Sequence, residues 1–250
     1  MVIEERVILD IPVLAGFEPS AAPHPLVILS HGFTRSKEDW RERIPELAGR
    51  GYFVAALDNR GHGDRRGPDF LSRTFRGGKW DILGIRQLIQ ETAEDIRIVL
   101  DQILTQEDVD LSRIGLAGVS MGAFASLKTT VSDDRIRAAA SIIGSPYWDD
   151  LFEGTREEGD PQRRRELEAF AARHQPASFT ERFFPRAVLF QTGETDPHLN
   201  SQRVKDFCLQ LGGAYASAPE KLCCMEHPGI AHEFTAGMWD NALRWFERFL

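Results

Sequence analysis

Short apolar runs alternate with longer stretches of helical periodicity along most of the chain. Residues 6–14, 26–30, 53–57, 113–117, 138–143, 187–191 and 222–226 read as strands, and nearly all are continuous in Val, Ile, Leu, Ala, Phe and Cys. A strand with one wet face alternates polar and apolar residues, whereas a continuous apolar run marks a strand covered on both faces. Between these runs, residues 37–50, 82–104, 121–131, 200–212 and 233–250 read as helices, the first closing at Gly51 and the last amphipathic. The alternation predicts an α/β fold: a mostly parallel central sheet with helices on both faces.

Residues 146–186 depart from this rhythm. They hold Tyr147, Trp148, Phe152, Phe170, Phe179, Phe183 and Phe184 beside the charged run Arg163 to Glu166. So long an insertion in a compact domain is either functional or disordered, and its helical apolar spacing argues for order. It is expected to form a small helical cap, with Tyr147, Trp148, Phe152, Phe183 and Phe184 lining a substrate pocket. The alternative is a surface pair of helices that covers the sheet and nothing else. No internal repeat, low-complexity tract or flexible linker divides the chain, so a single domain over residues 1–250 is expected.

Composition narrows the functional classes. Of 250 residues, 42% are apolar and 27% charged, which is ordinary globular usage and excludes a disordered or fibrous chain. The formal net charge of −8 opposes a phosphate backbone, so nucleic acid is not an expected partner. The apolar stretch at the N-terminus is interrupted by Glu4, Glu5, Asp10 and Pro12 and does not read as a signal peptide. No apolar run is long enough to span a bilayer. A soluble, cytoplasmic protein with no membrane partner is expected. Cys208, Cys223 and Cys224 draw neither a disulfide framework nor a metal knuckle, and the vicinal pair reads as small core residues.

The chemistry concentrates at strand ends. Gly118-Val119-Ser120-Met121-Gly122 follows one predicted strand and opens a helix. This is the context in which G-x-S-x-G holds a serine at a strained corner, glycines on either side removing the side chains that would collide. The competing reading is a serine that merely caps the helix. Serine at its free pKa is a weak nucleophile and needs an imidazole and a carboxylate behind it. Asp196 follows the strand at 187–191, and His232 follows the strand at 222–226 after the loop 227–231. Both therefore sit at C-terminal strand ends, the edge of an open α/β sheet where ligands bind. His227 competes with His232 as the base, but it ends its strand and precedes Pro228, which favours a strand-end role. The backbone NH groups of Phe33 and Met121 are the oxyanion-hole candidates, Gly32 letting the first loop approach closely.

Other motifs fare worse. His62 and Asp64 lack a third metal ligand nearby, and Gly61-x-Gly63 fails as a dinucleotide loop because Arg66 occupies the third glycine position. His31 reads as a hydrogen-bonded structural histidine.

Taken with Ser30-His31-Gly32-Phe33, Asp58-Asn59-Arg60-Gly61-His62-Gly63, Gly193-Glu194-Thr195-Asp196 and Gly229-Ile230-Ala231-His232, the elbow resembles that of the α/β-hydrolase fold family. Within it, the chain is most similar to the small single-domain bacterial esterases of the dienelactone-hydrolase-like and prolyl-oligopeptidase-like branch. The resemblance implies that these motifs are, in turn, the oxyanion loop, a structural loop, the acid and the base. Ala123 departs from the glycine that often follows the elbow, and Pro197-His198 from the small or apolar pair that often follows the acid. A serine at the elbow argues against the family's epoxide and halide chemistry, which uses aspartate there, and against the dienelactone branch proper, which uses cysteine. The reading is a serine carboxylesterase acting on small or medium acyl esters, with no metal and no organic cofactor, and with oligomeric state left open. Its alternatives are a thioesterase or peptidase with the same triad, and a non-catalytic binding protein on this fold. About thirty residues precede the oxyanion loop, which disfavours the large leading domain of the family's oligopeptidases.

Overall fold

Strands buried on both faces must pair with one another on either side, and among the described residues the continuous apolar runs do so in one eight-stranded sheet. The computed structural model describes residues 1–149 and 161–250. Its first half runs β1 (Val2–Ile8), β2 (Ile11–Phe17), β3 (His24–Ser30), α1 (Ile44–Ala48), β4 (Phe53–Leu57), α2 (Phe70–Thr74), β5 (Phe75–Arg76), β6 (Lys79–Trp80) and α3 (Ile82–Gln106). The second half runs β7 (Val109–Val119), α4 (Met121–Ser132), β8 (Ala138–Ile142), α5 (Pro161–His174), β9 (Ala187–Gly193), α6 (Ser201–Leu211), β10 (Leu222–His227) and α7 (Ala236–Phe249). The sheet runs β1-β2-β4-β3-β7-β8-β9-β10; from β4 to β10 across it all neighbours are parallel, and β1 and β2 add an antiparallel edge. β5 and β6 form a separate small hairpin.

Two hydrophobic layers flank the sheet. On β9, Val188 and Phe190 pack with Leu127 of α4 and Phe207 of α6, while Ala187 and Leu189 belong to the cluster that holds Trp239 and Phe246 of α7. Successive strand residues point to opposite faces, so one apolar run serves both layers. α7 presents Met238, Trp239, Ala242, Leu243, Trp245 and Phe246 as a buried stripe of helical period. Thr235 caps it by accepting from the Met238 NH at 3.3 Å.

The structure corrects several sequence expectations. Residues 6–14 are not one strand: Leu9 takes a φ of 57° and turns the chain back, so Ile8 pairs with Ile11 across a tight hairpin. Residues 37–50 are not one helix: a 3-10 turn at Lys37–Trp40 is separated from α1, which begins beside Pro45. Proline has no NH to carry the helical ladder through that point and is tolerated only in a first turn. β10 is an outer strand of half-buried and exposed residues, in which Cys223 and Cys224 are half-buried and pack against the two hydrophobic layers from their rim.

Among the described residues, 146–186 hold α5 and two 3-10 turns, Pro176–Ser178 and Thr180–Arg182. Trp148 is fully buried and stacks on Phe170 and His174. Arg86 of α3 fastens this segment, donating from Nε to the Trp148 carbonyl at 2.9 Å and from Nη1 to the Leu167 carbonyl at 2.7 Å. Removing a fully buried indole costs about 3–5 kcal/mol. Trp148→Ala is therefore expected to lower the free energy of unfolding in urea by that amount, and a loss under about 1 kcal/mol would contradict this packing role.

Candidate active site

The serine corner is built by close backbone packing. Ser120 follows β7 directly and takes φ 52°, ψ −117°, a conformation L-residues reach only under constraint. Its NH is held by the Ile142 carbonyl at 2.9 Å. A Cβ on Gly118 would lie 2.2 Å from the Gly122 carbonyl oxygen, and one on Gly122 would lie 2.1 Å from that of Ser30, so the turn closes only with glycine at both positions.

Ser120 Oγ lies 2.8 Å from His232 Nε2, and His232 Nδ1 lies 2.7 Å from Asp196 Oδ2. An ionised carboxylate only accepts, so the imidazole carries its proton on Nδ1 and offers a bare Nε2 to the serine hydroxyl. The Asp196 side chain is fully buried, and its other oxygen accepts from the His198 NH at 2.8 Å. The edge of the His198 ring packs against the His232 imidazole. The loops carrying acid and base are laced together: the Thr195 NH donates to the Ile230 carbonyl at 3.0 Å and the Gly229 NH to Glu194 Oε2 at 2.8 Å. Gly193 permits that approach, since a Cβ there would lie 2.3 Å from the Ala231 carbonyl oxygen.

His227 is elsewhere. It ends β10, its Nε2 sits 3.1 Å from Gln191 Oε1, and burial holds its pKa below the usual histidine value.

The loop carrying Phe33 is fixed from behind. The Asn59 NH donates to His31 Nε2 at 3.0 Å, so His31 carries its proton on Nδ1 and donates it to the Gly32 carbonyl at 2.7 Å. In a trans peptide the carbonyl and the following NH point in opposite directions, so this bond turns the Phe33 NH away from His31. A Cβ on Gly32 would lie 3.8 Å from Ser120 Cβ, which puts the loop alongside the serine. Met121 supplies a second NH at the first turn of α4, where no carbonyl lies one turn back to receive it. Asp58 anchors the same loop from below, accepting from the Lys37 NH at 2.8 Å and the Asp64 NH at 2.9 Å. The motif from Asp58 to Gly63 is thus a brace for the site. His62 donates from Nδ1 to the Arg60 carbonyl at 2.8 Å while Asp64 pairs with Lys37 at 2.6 Å, so the two engage different partners. Among the described residues no group of His, Cys, Asp or Glu is arranged to hold a metal ion.

Burial lowers the His31 pKa from its ordinary 6.5 to about 4. As pH falls from 6.5 to 4 the unfolded chain takes up a proton that the folded chain refuses, so stability present above pH 6.5 is lost across that window. The loss attributable to His31 is on the order of 3 kcal/mol. His31→Asn is expected to flatten the wild-type decline in urea-unfolding free energy between pH 6.5 and 4 by that amount. Parallel curves for the two proteins would remove His31 as the source.

A cavity of about 700 Å³ opens on Ser120 and His232. Its apolar wall is Phe33, Trp40, Phe124, Ile143, Leu199 and Phe234, with Arg35, Asp39, Glu42, Arg43 and Glu233 as charged residues. This corrects the expected pocket. Trp148 and Phe183 are fully buried in the two hydrophobic clusters; Tyr147 lies against Phe207 beneath Arg203; Phe184 packs on Tyr215. None of the four lines the cavity. Phe152 lies outside the described residues. Most of the wall comes instead from residues that immediately follow the motifs, 33–43 at and after the oxyanion loop, 198–199 after the acid and 233–234 after the base, with Val119, Phe124 and Ile143 completing it. Adjacency to a motif was the available signal.

Residues 27–246 match the family model described as "Alpha/beta hydrolase family". The chain belongs to that family. It is 28% identical to YitV of Bacillus subtilis strain 168 over 239 residues, covering 90% of this chain and 89% of that protein. It is 27% identical to Esterase YjfP of Escherichia coli K12 over 256 residues, covering 99% of each. The crystal structure of TT1662 from Thermus thermophilus superposes with a TM-score of 0.77 at 24% identity, over 99% of this chain and 98% of that one. The chain is thus an alpha/beta hydrolase family member with esterase relatives that match 90% and 99% of it. No described helix is long and apolar enough to cross a membrane.

Proposed function

We propose that the protein is a serine carboxylesterase acting on small ester substrates through Ser120, His232 and Asp196. The observation that carries this reading is the hydrogen-bonded line Ser120 Oγ, His232, Asp196, at 2.8 and 2.7 Å, on a serine held at positive φ at the mouth of a cavity. His232 Nε2 takes the hydroxyl proton as Ser120 Oγ attacks the ester carbonyl. Asp196 holds the ring in the required tautomer and stabilises the imidazolium. The Phe33 and Met121 NH groups receive the charge on the carbonyl oxygen. Collapse of the tetrahedral intermediate expels the alcohol, which leaves with the proton from His232. Water then attacks the acyl-serine, with His232 again taking the proton.

The chain acts as one domain over residues 1–250, with the described residues of the 146–186 insertion bracing it and the cavity wall from Phe33 to Phe234 receiving the substrate. The cavity is of the size that small ligands occupy. The thioesterase and peptidase alternatives use the same residues. A panel of 4-nitrophenyl esters, matching thioesters and peptide amides of graded acyl length separates them. Ester turnover well above the other two, declining for long chains, is the expected result; faster thioester or amide cleavage would replace the reading, and no turnover at all would favour the binding-protein alternative.

A further inference from the structure

The charged residues of the cavity do not cancel. Arg35 is held by Asp39, Nε to Oδ2 at 2.5 Å. Arg43 is held by Glu46 at 2.9 Å, and its guanidinium also lies 6.0 Å from the Phe234 ring centre and 5.9 Å from that of Trp239. The two cations among the described lining residues are thus already neutralised by carboxylates. Glu42 and Glu233 line the same cavity, and neither side-chain carboxylate has a hydrogen-bond or ion-pair partner among the described residues. They leave two exposed, uncompensated negative charges at a mouth whose apolar lining includes Phe33, Trp40, Phe124, Leu199 and Phe234. A low-dielectric wall focuses the field of such charges into the cavity, and the chain's net charge of −8 acts in the same direction at longer range.

We propose that Glu42 and Glu233 are specificity-determining residues that make the Ser120 cavity prefer esters carrying a cationic ammonium group over their neutral isosteres. The proposal rests on the serine-esterase reading above. The ammonium group would sit near the two carboxylates while the apolar wall takes the methyl and methylene groups beside it. An ester with a free carboxylate would meet the same two charges with the opposite sign and be disfavoured.

Two matched pairs of substrates test this, one for each side of the ester bond. The first pair is butyrylcholine and its carbon isostere 3,3-dimethylbutyl butyrate. The second is the 4-nitrophenyl esters of 4-(trimethylammonio)butanoic acid and of 5,5-dimethylhexanoic acid. In at least one pair the cationic member is expected to have a kcat/KM several-fold to tenfold higher at low salt. That ratio should shrink towards one in 0.5 M NaCl, because exposed charges are screened within about 3–4 Å at such ionic strength. It should shrink likewise in the double variant Glu42→Gln, Glu233→Gln. Ratios near one in both pairs with all four esters hydrolysed would overturn the proposal and leave the esterase reading standing. A cationic preference that survives the double variant would overturn the assignment to these two residues. Failure to hydrolyse any of the esters, together with failure on the 4-nitrophenyl panel, would remove the esterase reading and this proposal with it.

Discussion

Ser120→Ala is expected to lower ester turnover by roughly a million-fold with little change in stability, the loss typical of removing a nucleophile from a working triad. Alanine removes one hydroxyl, whose partner in the structure is His232 Nε2. The corner survives the change, because its geometry is set by Gly118, Gly122 and the Ser120 NH bond to Ile142, none of which involves the side chain. Steady-state kinetics on a 4-nitrophenyl ester, with circular dichroism to verify the fold, measures both parts. A fall of only a few-fold would mean that another group attacks the carbonyl.

Substitution at the two histidines that follow β10 should separate sharply. His232→Ala is expected to approach the Ser120→Ala loss, since it removes both the proton acceptor and the only side chain linking Ser120 to Asp196 among the described residues. His227→Ala should leave turnover within a few-fold of wild type and cost about 1 kcal/mol, the usual worth of one hydrogen bond, here to Gln191. The loop between them is held by backbone groups that alanine keeps: the His227 carbonyl receives the Glu194 NH at 3.1 Å and the Ile230 NH at 3.3 Å. If His227→Ala were inactive and His232→Ala active, the base would be misassigned.

How far these features were legible depends on what kind of physics sets them. β4 runs over residues 53–57 as read, because a strand buried on both faces writes its limits directly into an apolar run. Ser120, Asp196 and His232 could be singled out because parallel strands deliver their C-terminal ends to one edge, so chain order and loop position were sufficient. The hairpin at Leu9 was hidden, since Val7, Ile8, Leu9 and Ile11 continue the apolar pattern straight through a turn made by backbone conformation. The small hairpin β5–β6 has a local signal in the glycine pair: Gly77 and Gly78, both at positive φ, form a two-residue turn between Arg76 and Lys79. The pocket failed for a different reason. Aromatic content in 146–186 shows that those side chains must be buried but not against what, and Trp148 and Phe183 proved to fill the hydrophobic layers beside the sheet. Trp40 and Phe234 line the cavity because the 3-10 turn and the loop before α7 converge there, a long-range arrangement that no local pattern encodes.

The most direct test of the account is covalent capture of the nucleophile. A fluorophosphonate allowed to react with the protein, followed by intact-mass measurement and peptide mapping, should give a single adduct located on Ser120, complete loss of ester hydrolysis in proportion to labelling, and no adduct in Ser120→Ala. An adduct on Cys208, Cys223 or Cys224, or undiminished ester hydrolysis after Ser120 is fully labelled, would contradict it.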